Sequence, residues 1–182
     1  SEMCIRDRDV SNPRHPVYVE RINLPYTWDV DLYGPYVVVG TSSGIYIFNI
    51  PGIGQTGISN LPLVGSLSGY KALDVRVRGD VAYVAAGADG LLTVNVSDPS
   101  NPVLLDQHKQ GSSPYYRKLD VQWPFAFVTN YYYDATWRGV LVYDVSDPTN
   151  INLLTRIGFT LAIDVFAWGR ILFIADGTYG LY

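Results

Sequence analysis

Four aspartates recur in one local setting, an apolar residue followed by Asp-Val: Trp28-Asp29-Val30, Leu73-Asp74-Val75, Leu119-Asp120-Val121 and Ile163-Asp164-Val165. Carboxylates in equivalent places of a repeated fold could ring a central channel and attract a cation, since hard cations take oxygen ligands. Repetition also fits a structural role, each carboxylate accepting backbone N–H groups of its own unit as Asx residues do in turns. A catalytic site rarely needs four copies. Asp29, Asp74, Asp120 and Asp164 are therefore read as structural repeat aspartates, and no metal or other cofactor is assigned.

The second candidate is Tyr131-Tyr132-Tyr133-Asp134-Ala135-Thr136-Trp137-Arg138. Four aromatic rings with an Asp and an Arg could stack on a sugar ring and hydrogen-bond its hydroxyls. Tyr131, Tyr132, Tyr133, Trp137 and Arg138 are the candidate ligand-binding residues, and packing on a neighbouring loop is the plainer alternative. Other motifs carry less. Arg78-Gly79-Asp80 spells an adhesion tripeptide but sits where two strands must turn, and Asn95-Val96-Ser97 fits a glycosylation acceptor but varies Asp144-Val145-Ser146. His15 and His108 lack the close partners of a metal site. Gly52-x-Gly54-x-x-Gly57 has no helix after it, and no Walker loop or Gly-x-Ser-x-Gly elbow is present.

These residues are positioned by a repeat. From Asp29 the steps to Asp74, Asp120 and Asp164 are 45, 46 and 44 residues. A β-rich run follows each Asp: Tyr36–Val39, Ala82–Ala85, Ala126–Thr129 and Leu172–Ala175. Then a glycine opens another apolar run, at Gly44, Gly90, Gly139 and Gly180. A turn closes the unit: Asp9-Val-Ser-Asn-Pro13, Asn95-Val-Ser-Asp-Pro99 and Asp144-Val-Ser-Asp-Pro148. Four short strands per unit, punctuated by Gly, Pro, Asn and Asp, with no apolar period of 3.6, predict an all-β chain. Repeated every 45 residues or so, such units are the signature of β-propeller blades. Each sheet is apolar on both faces and must lie between neighbours. Trp28, Val30 and Leu32 should match Leu73, Val75 and Val77 of the next innermost strand. The aromatic segment falls where one unit is longer, 49 residues from Gly90 to Gly139 against 46 from Gly44 to Gly90, so it lies on a loop between second and third strands.

Composition agrees. The 182 residues are 48% hydrophobic and 16% charged, with 17 glycines, 11 prolines and 15 tyrosines, which excludes a disordered tail. A net charge of −4 with no basic block excludes a phosphate-tracking nucleic-acid binder. No run approaches the ~20 apolar residues that span a bilayer, so this segment is not expected to insert in a membrane. One cysteine excludes a disulfide framework.

Gly90 to Pro102 (GLLTVNVSDPSNP) and Gly139 to Thr149 (GVLVYDVSDPT) resemble the LVIVD repeat, a Gly-Leu start and a β-branched strand before Val-Ser-Asp-Pro. The resemblance covers Asp9 to Tyr182 and departs at Asn49-Ile50-Pro51-Gly52, which is followed by a Gly-rich loop from Gly52 to Asn60. Phe127-Val128-Thr129-Asn130 is similar to the YVTN propeller repeats at one site. The LVIVD resemblance implies a non-enzymatic propeller of a prokaryotic cell-surface or secreted protein, with no catalytic residues to carry over. The expected function is a binding or scaffolding module whose partner is a protein or a glycan. The alternatives are a lactonase-like or other hydrolytic propeller with a metal in the channel, and a glycan-binding propeller.

Ser1 to Asp7 resembles the reading-frame translation of a transposase adapter used in DNA sequencing, so residues 1–8 are set aside as non-native. Residues 9–26 read as the end of a blade, 27–70, 71–116 and 117–160 as three blades, and 161–182 as the start of another. The expectation is a fragment of an incomplete ring, whose remaining blades would be its partners and whose end sheets expose apolar faces.

Overall fold

A computed structural model describes residues 4–10, 12–50, 61–111, 114–131 and 137–182. No helix occurs among the described residues, and so none long and apolar enough to cross a membrane. An N-terminal hairpin, β1 (Cys4–Asp9) and β2 (Val17–Asn23), precedes four antiparallel sheets. The first sheet is β3 (Thr27–Tyr33), β4 (Tyr36–Thr41), β5 (Gly44–Asn49) and β6 (Leu63–Ser68). The second is β7 (Asp74–Arg78), β8 (Val81–Ala85), β9 (Leu91–Asn95) and β10 (Val103–His108). The third is β11 (Tyr116–Gln122), β12 (Phe125–Asn130), β13 (Gly139–Asp144) and β14 (Asn152–Gly158). The fourth has three strands, β15 (Ala162–Trp168), β16 (Ile171–Asp176) and β17 (Gly180–Leu181). Every sheet is a meander, and β3, β7, β11 and β15 lie against one another in succession, so the sheets are the blades of a β-propeller. The Gly52 to Asn60 loop lies outside the described residues.

The core lies between sheets. Val38, Ile45 and Ile47 of the first sheet meet Val75, Val77, Val84 and Leu92 of the second. Tyr83 and Leu91 meet Leu119, Val121, Leu141 and Tyr143. Val140 meets Val165 and Ile174, with Phe127 and Phe159 beside them. Each fully buried aliphatic side chain contributes about 1.5–3 kcal/mol. Val75 and Val77 face backward to the preceding sheet, and Val30 and Leu32 hold the same places on β3, where they are exposed.

The opening glycine of each third strand has a steric reason. At Gly44, Gly90 and Gly139 φ is +147°, +88° and +140°, a region L side chains rarely adopt. A Cβ there would also press into the carbonyl of Leu67, His108 or Ile157 on the fourth strand. Gly180 has φ +96° but open space around it, because its sheet has no fourth strand. Gly139→Ala should therefore cost about 2–4 kcal/mol, and Gly180→Ala about 1 kcal/mol from backbone strain alone. Urea unfolding of both variants measures this; equal losses would refute the fourth-strand explanation.

Candidate functional site

Strand pairing fixes which residues are equivalent. Counted from each opening glycine, Val30, Val75, Leu119 and Val165 occupy one place, opposite Val39, Val84, Val128 and Ile174. The preceding place holds Asp29, Asp74 and Asp164, but Lys118 on β11. Asp120 lies two residues further along, level with Asp31, Arg76 and Phe166. Two alternating places, rather than one recurring place, carry the carboxylates.

Both places serve the same purpose. The innermost strand pairs on one side only, and amides on its other edge need acceptors. Asp29 accepts from the Val75 amide at 3.0 Å, and Asp74 from the Leu119 amide at 2.8 Å. From the second place, Asp31 accepts from Val77 at 2.8 Å and Asp120 from Ala167 at 2.8 Å. The acceptors thus reach the next sheet, where the sequence pointed to their own. Bonds within the strand also occur: Asp120 Oδ1 accepts from Val121, and Asp164 Oδ1 from Val165.

Cations balance the carboxylates. The Arg76 guanidinium lies 2.7 Å from Asp29, the Lys118 ammonium 2.7 Å from Asp74, and Arg78 3.6 Å from both Asp31 and Asp120. Among the described residues no three of His, Cys, Asp and Glu are grouped to hold a metal ion. Asp74 is fully buried, and burial, then the Asp29 charge, push its carboxyl up to about 6 against the pull of Lys118, the Leu119 amide and Arg76.

The other motifs are absorbed locally. Asp80 of Arg78-Gly79-Asp80 accepts a 2.6 Å hydrogen bond from the Tyr33 hydroxyl of the preceding sheet, and Gly79 has φ +57° in the turn. Asn95 Oδ1 accepts from the Ser97 amide, as Asp144 Oδ1 does from Ser146. His108 Nδ1 lies 3.2 Å from the Tyr143 hydroxyl, which lies 2.6 Å from that of Tyr116. Burial pushes both phenols above their ordinary range, and with His108 they form a polar knot between second and third sheets. His15 is remote from it, on the exposed connection before β2.

Among the described residues, two open clefts lie where second-to-third-strand loops meet the linkers between sheets. One cleft, of about 600 Å³, is lined by Trp137, Arg138, Phe159, Asp176, Tyr179 and Tyr182 among others. A related cleft of about 510 Å³ lies between first and second sheets, with Ser43, Tyr70, Lys71, Asp89 and Tyr115 in its lining. Of the five candidate residues, Trp137 and Arg138 come together in the first cleft; Tyr131 is not in its lining, and Tyr132 and Tyr133 lie outside the described residues. Tyr131 instead has the Arg117 guanidinium 5.2 Å from its ring centre, and its amide donates to Tyr115 O at 3.0 Å.

Trp137 is half-buried, packed on the core between second and third sheets, with Arg156 5.7 Å from its ring centre. Asn130 Nδ2 donates to its carbonyl at 3.1 Å. The Asp176 carboxylate accepts from the amides of Thr178, Tyr179 and Leu161. Burial raises its pKa, but those amides outweigh it and hold the group below its ordinary value. The cleft therefore presents aromatic faces, a guanidinium and a fixed anion. Sequence reasoning missed Phe159, Asp176 and Tyr179. Their signal was the repeat itself, since the Asp176 to Tyr179 loop is the next sheet's counterpart of the aromatic segment.

The comparisons agree with this architecture. The LVIVD repeat model matches residues 69–108 and 126–157. The computationally designed protein Ika4 is 12% identical with a TM-score of 0.68, over 88% of this chain and 91% of that one. The designed Ika8 is also 12% identical at TM-score 0.68, over 91% of this chain but 48% of its own. The N-terminal domain of Nup159 is 11% identical at 0.53, over 85% of this chain and 40% of that one. At such identities these structures speak for the fold. No curated protein matches the sequence.

Asp74 supplies a pH test. Its folded pKa stands above the unfolded value near 3.8, so the folded state binds the proton more tightly. The stabilisation is complete below about pH 4 and is lost as pH rises through 6. Wild type minus Asp74→Asn, by urea unfolding, should gain on the order of 2–3 kcal/mol from pH 7 to pH 4. A flat difference would contradict the assignment.

Proposed function

Because the chain carries LVIVD repeats built into a β-propeller, we propose that it is a non-catalytic binding or scaffolding module of a cell-surface or secreted protein. The observation that carries this reading is where the polar groups go. Asp29, Asp74 and Asp120 are engaged with amides and cations of neighbouring sheets, while the open clefts are lined by aromatic and single polar side chains on loops and linkers. Rigid strands presenting variable loops are a recognition design. The carboxylates of Asp29, Asp31, Asp74 and Asp120 are committed to backbone donors of the next sheet. The charge-poor, tyrosine-rich composition supports an interaction surface.

The class of ligand that the first cleft suits best is a glycan. Trp137, Tyr179 and Tyr182 offer faces for a sugar ring, with Arg138 and Asp176 placed for its hydroxyls. Screening the chain against an array of surface oligosaccharides should find a binder. Trp137→Ala and Tyr179→Ala should each weaken it by tenfold or more. Tyr179 is 67% exposed, so its variant should keep the wild-type melting temperature and separate lost binding from lost folding. Unchanged binding in both variants would remove the cleft from the proposal.

A further inference from the structure

The cleft between first and second sheets has walls that the backbone ties down. On one side the loop from β4 to β5 holds the linker that leads to β7. Gly69 donates its amide to Ser43 O at 3.0 Å, and Ala72 to Thr41 O at 2.8 Å. The opposite wall is the turn from β8 to β9. There Asp89 donates its amide to Ala86 O at 3.0 Å, and its carbonyl accepts from Gln107 Nε2 at 2.8 Å. Gly87 exchanges a pair of 3.0 Å amide bonds with Tyr116, and a Cβ on Gly87 would lie 3.7 Å from the Tyr115 ring. The Tyr115 amide is held in turn by Asn130 Oδ1 at 2.9 Å.

These fixed walls present side chains that the fold does not use. The cations of the inner ladder, Arg76, Arg78 and Lys118, each lie against a carboxylate. Lys71 and Asp89 line one cleft without pairing, and among the described residues neither side chain has a hydrogen-bond partner. The same holds for the hydroxyls of Ser42, Ser68 and Tyr70, whereas that of Ser43 is bonded to Thr41 and Tyr46. Asp176 in the other cleft differs, because three amides already occupy its carboxylate.

The donors and acceptors define what fits between them. An ammonium only donates and calls for an anion, a carboxylate only accepts and calls for hydroxyl donors, and hydroxyls do both. The Tyr70 and Tyr115 rings add apolar faces, and about 510 Å³ is the size of a small-molecule site. We propose that this cleft is a second binding site, selective for an acidic sugar of the uronic acid class. The sugar carboxylate meets Lys71, its hydroxyls meet Asp89 and the serines, and its ring lies against the tyrosines. This site stands whether or not the first cleft binds a glycan.

Isothermal titration calorimetry of the full chain with oligogalacturonate and oligoglucuronate tests it, each acid against its methyl ester, which keeps the other hydroxyls and loses the charge. At least one acid should bind tenfold or more tightly than its ester, with affinity falling as salt rises. Lys71→Gln should lower the affinity for that acid about tenfold, towards that of the ester, and Lys71→Arg should keep most of it. Asp89→Ala should weaken acid and ester alike. Lys71 is exposed, so its variants should keep the wild-type melting temperature. Tyr179→Ala alters the first cleft alone and should leave uronate binding unchanged. The proposal is overturned if neither acid binds, if acid and ester bind equally, or if Lys71→Gln has no effect. Loss of uronate binding in Tyr179→Ala would equally overturn it, by moving the acid to the first cleft.

Discussion

The structure depends on one hydrogen bond, from a backbone amide of an innermost strand to an aspartate of the preceding sheet. An innermost strand has a partner on one side only, so its other edge presents amides that would be costly to bury unpaired. A carboxylate is a strong acceptor for such a donor. Placed on the neighbouring sheet, it satisfies the edge and joins the two sheets at once. Burying that charge is itself unfavourable, which is why Arg76, Lys118 and Arg78 lie against the carboxylates. Asp74, the most enclosed, keeps the imprint of that cost in its raised pKa.

The bridge also explains what the repeat tolerates. The junction between first and second sheets uses both places, Asp29 and Asp31; the next uses Asp74; the third uses Asp120. Where Arg76 or Lys118 replaces an acid, the other place supplies the acceptor, and the cation turns to a neighbouring carboxylate. Further out, Asp106 accepts from the Ile151 amide of the third sheet, and the Thr93 hydroxyl donates to Pro148 O. Polar bonds therefore set the register at the inner and outer ends of the sheets, and apolar side chains fill the space between. Packing alone tolerates sliding; amide-to-carboxylate pairs do not.

The fold was legible because its signals are local: turn formers, opening glycines and alternating apolar runs lie within one unit, and the unit recurs. The register of the aspartates was not. Leu119-Asp120-Val121 copies the motif of Leu73-Asp74-Val75, yet strand pairing sets Leu119 level with Val75. The two acidic places lie two residues apart on one face of a strand, and only pairing to the next strand tells them apart. Asp29-Val30-Asp31 shows both at once and was the available clue. Partners of the carboxylates were hidden for a different reason, since a bond spanning 45 to 47 residues leaves no trace in local pattern. In the cleft, Trp137 and Arg138 stood out by composition, whereas Phe159 and Asp176 belong to other elements and meet them only when the sheets stack.

A scaffold held at its strands is free to vary at its rim. The first cleft and the one between first and second sheets are built by the same elements, a second-to-third-strand loop on each sheet and the linker between them. Their chemistry differs: Tyr70, Lys71 and Asp89 in one, Trp137, Arg138 and Asp176 in the other. The Asp176 side chain reaches into the backbone network, and it does so through loop and linker amides rather than through the inner ladder. The longer step to Gly139 falls in the connection between β12 and β13, where lengthening adds little closure entropy. The division of labour is physical: carboxylates hold the sheets together, and side chains of loops and linkers line the clefts, where their chemistry varies while the inter-sheet bonds stay the same.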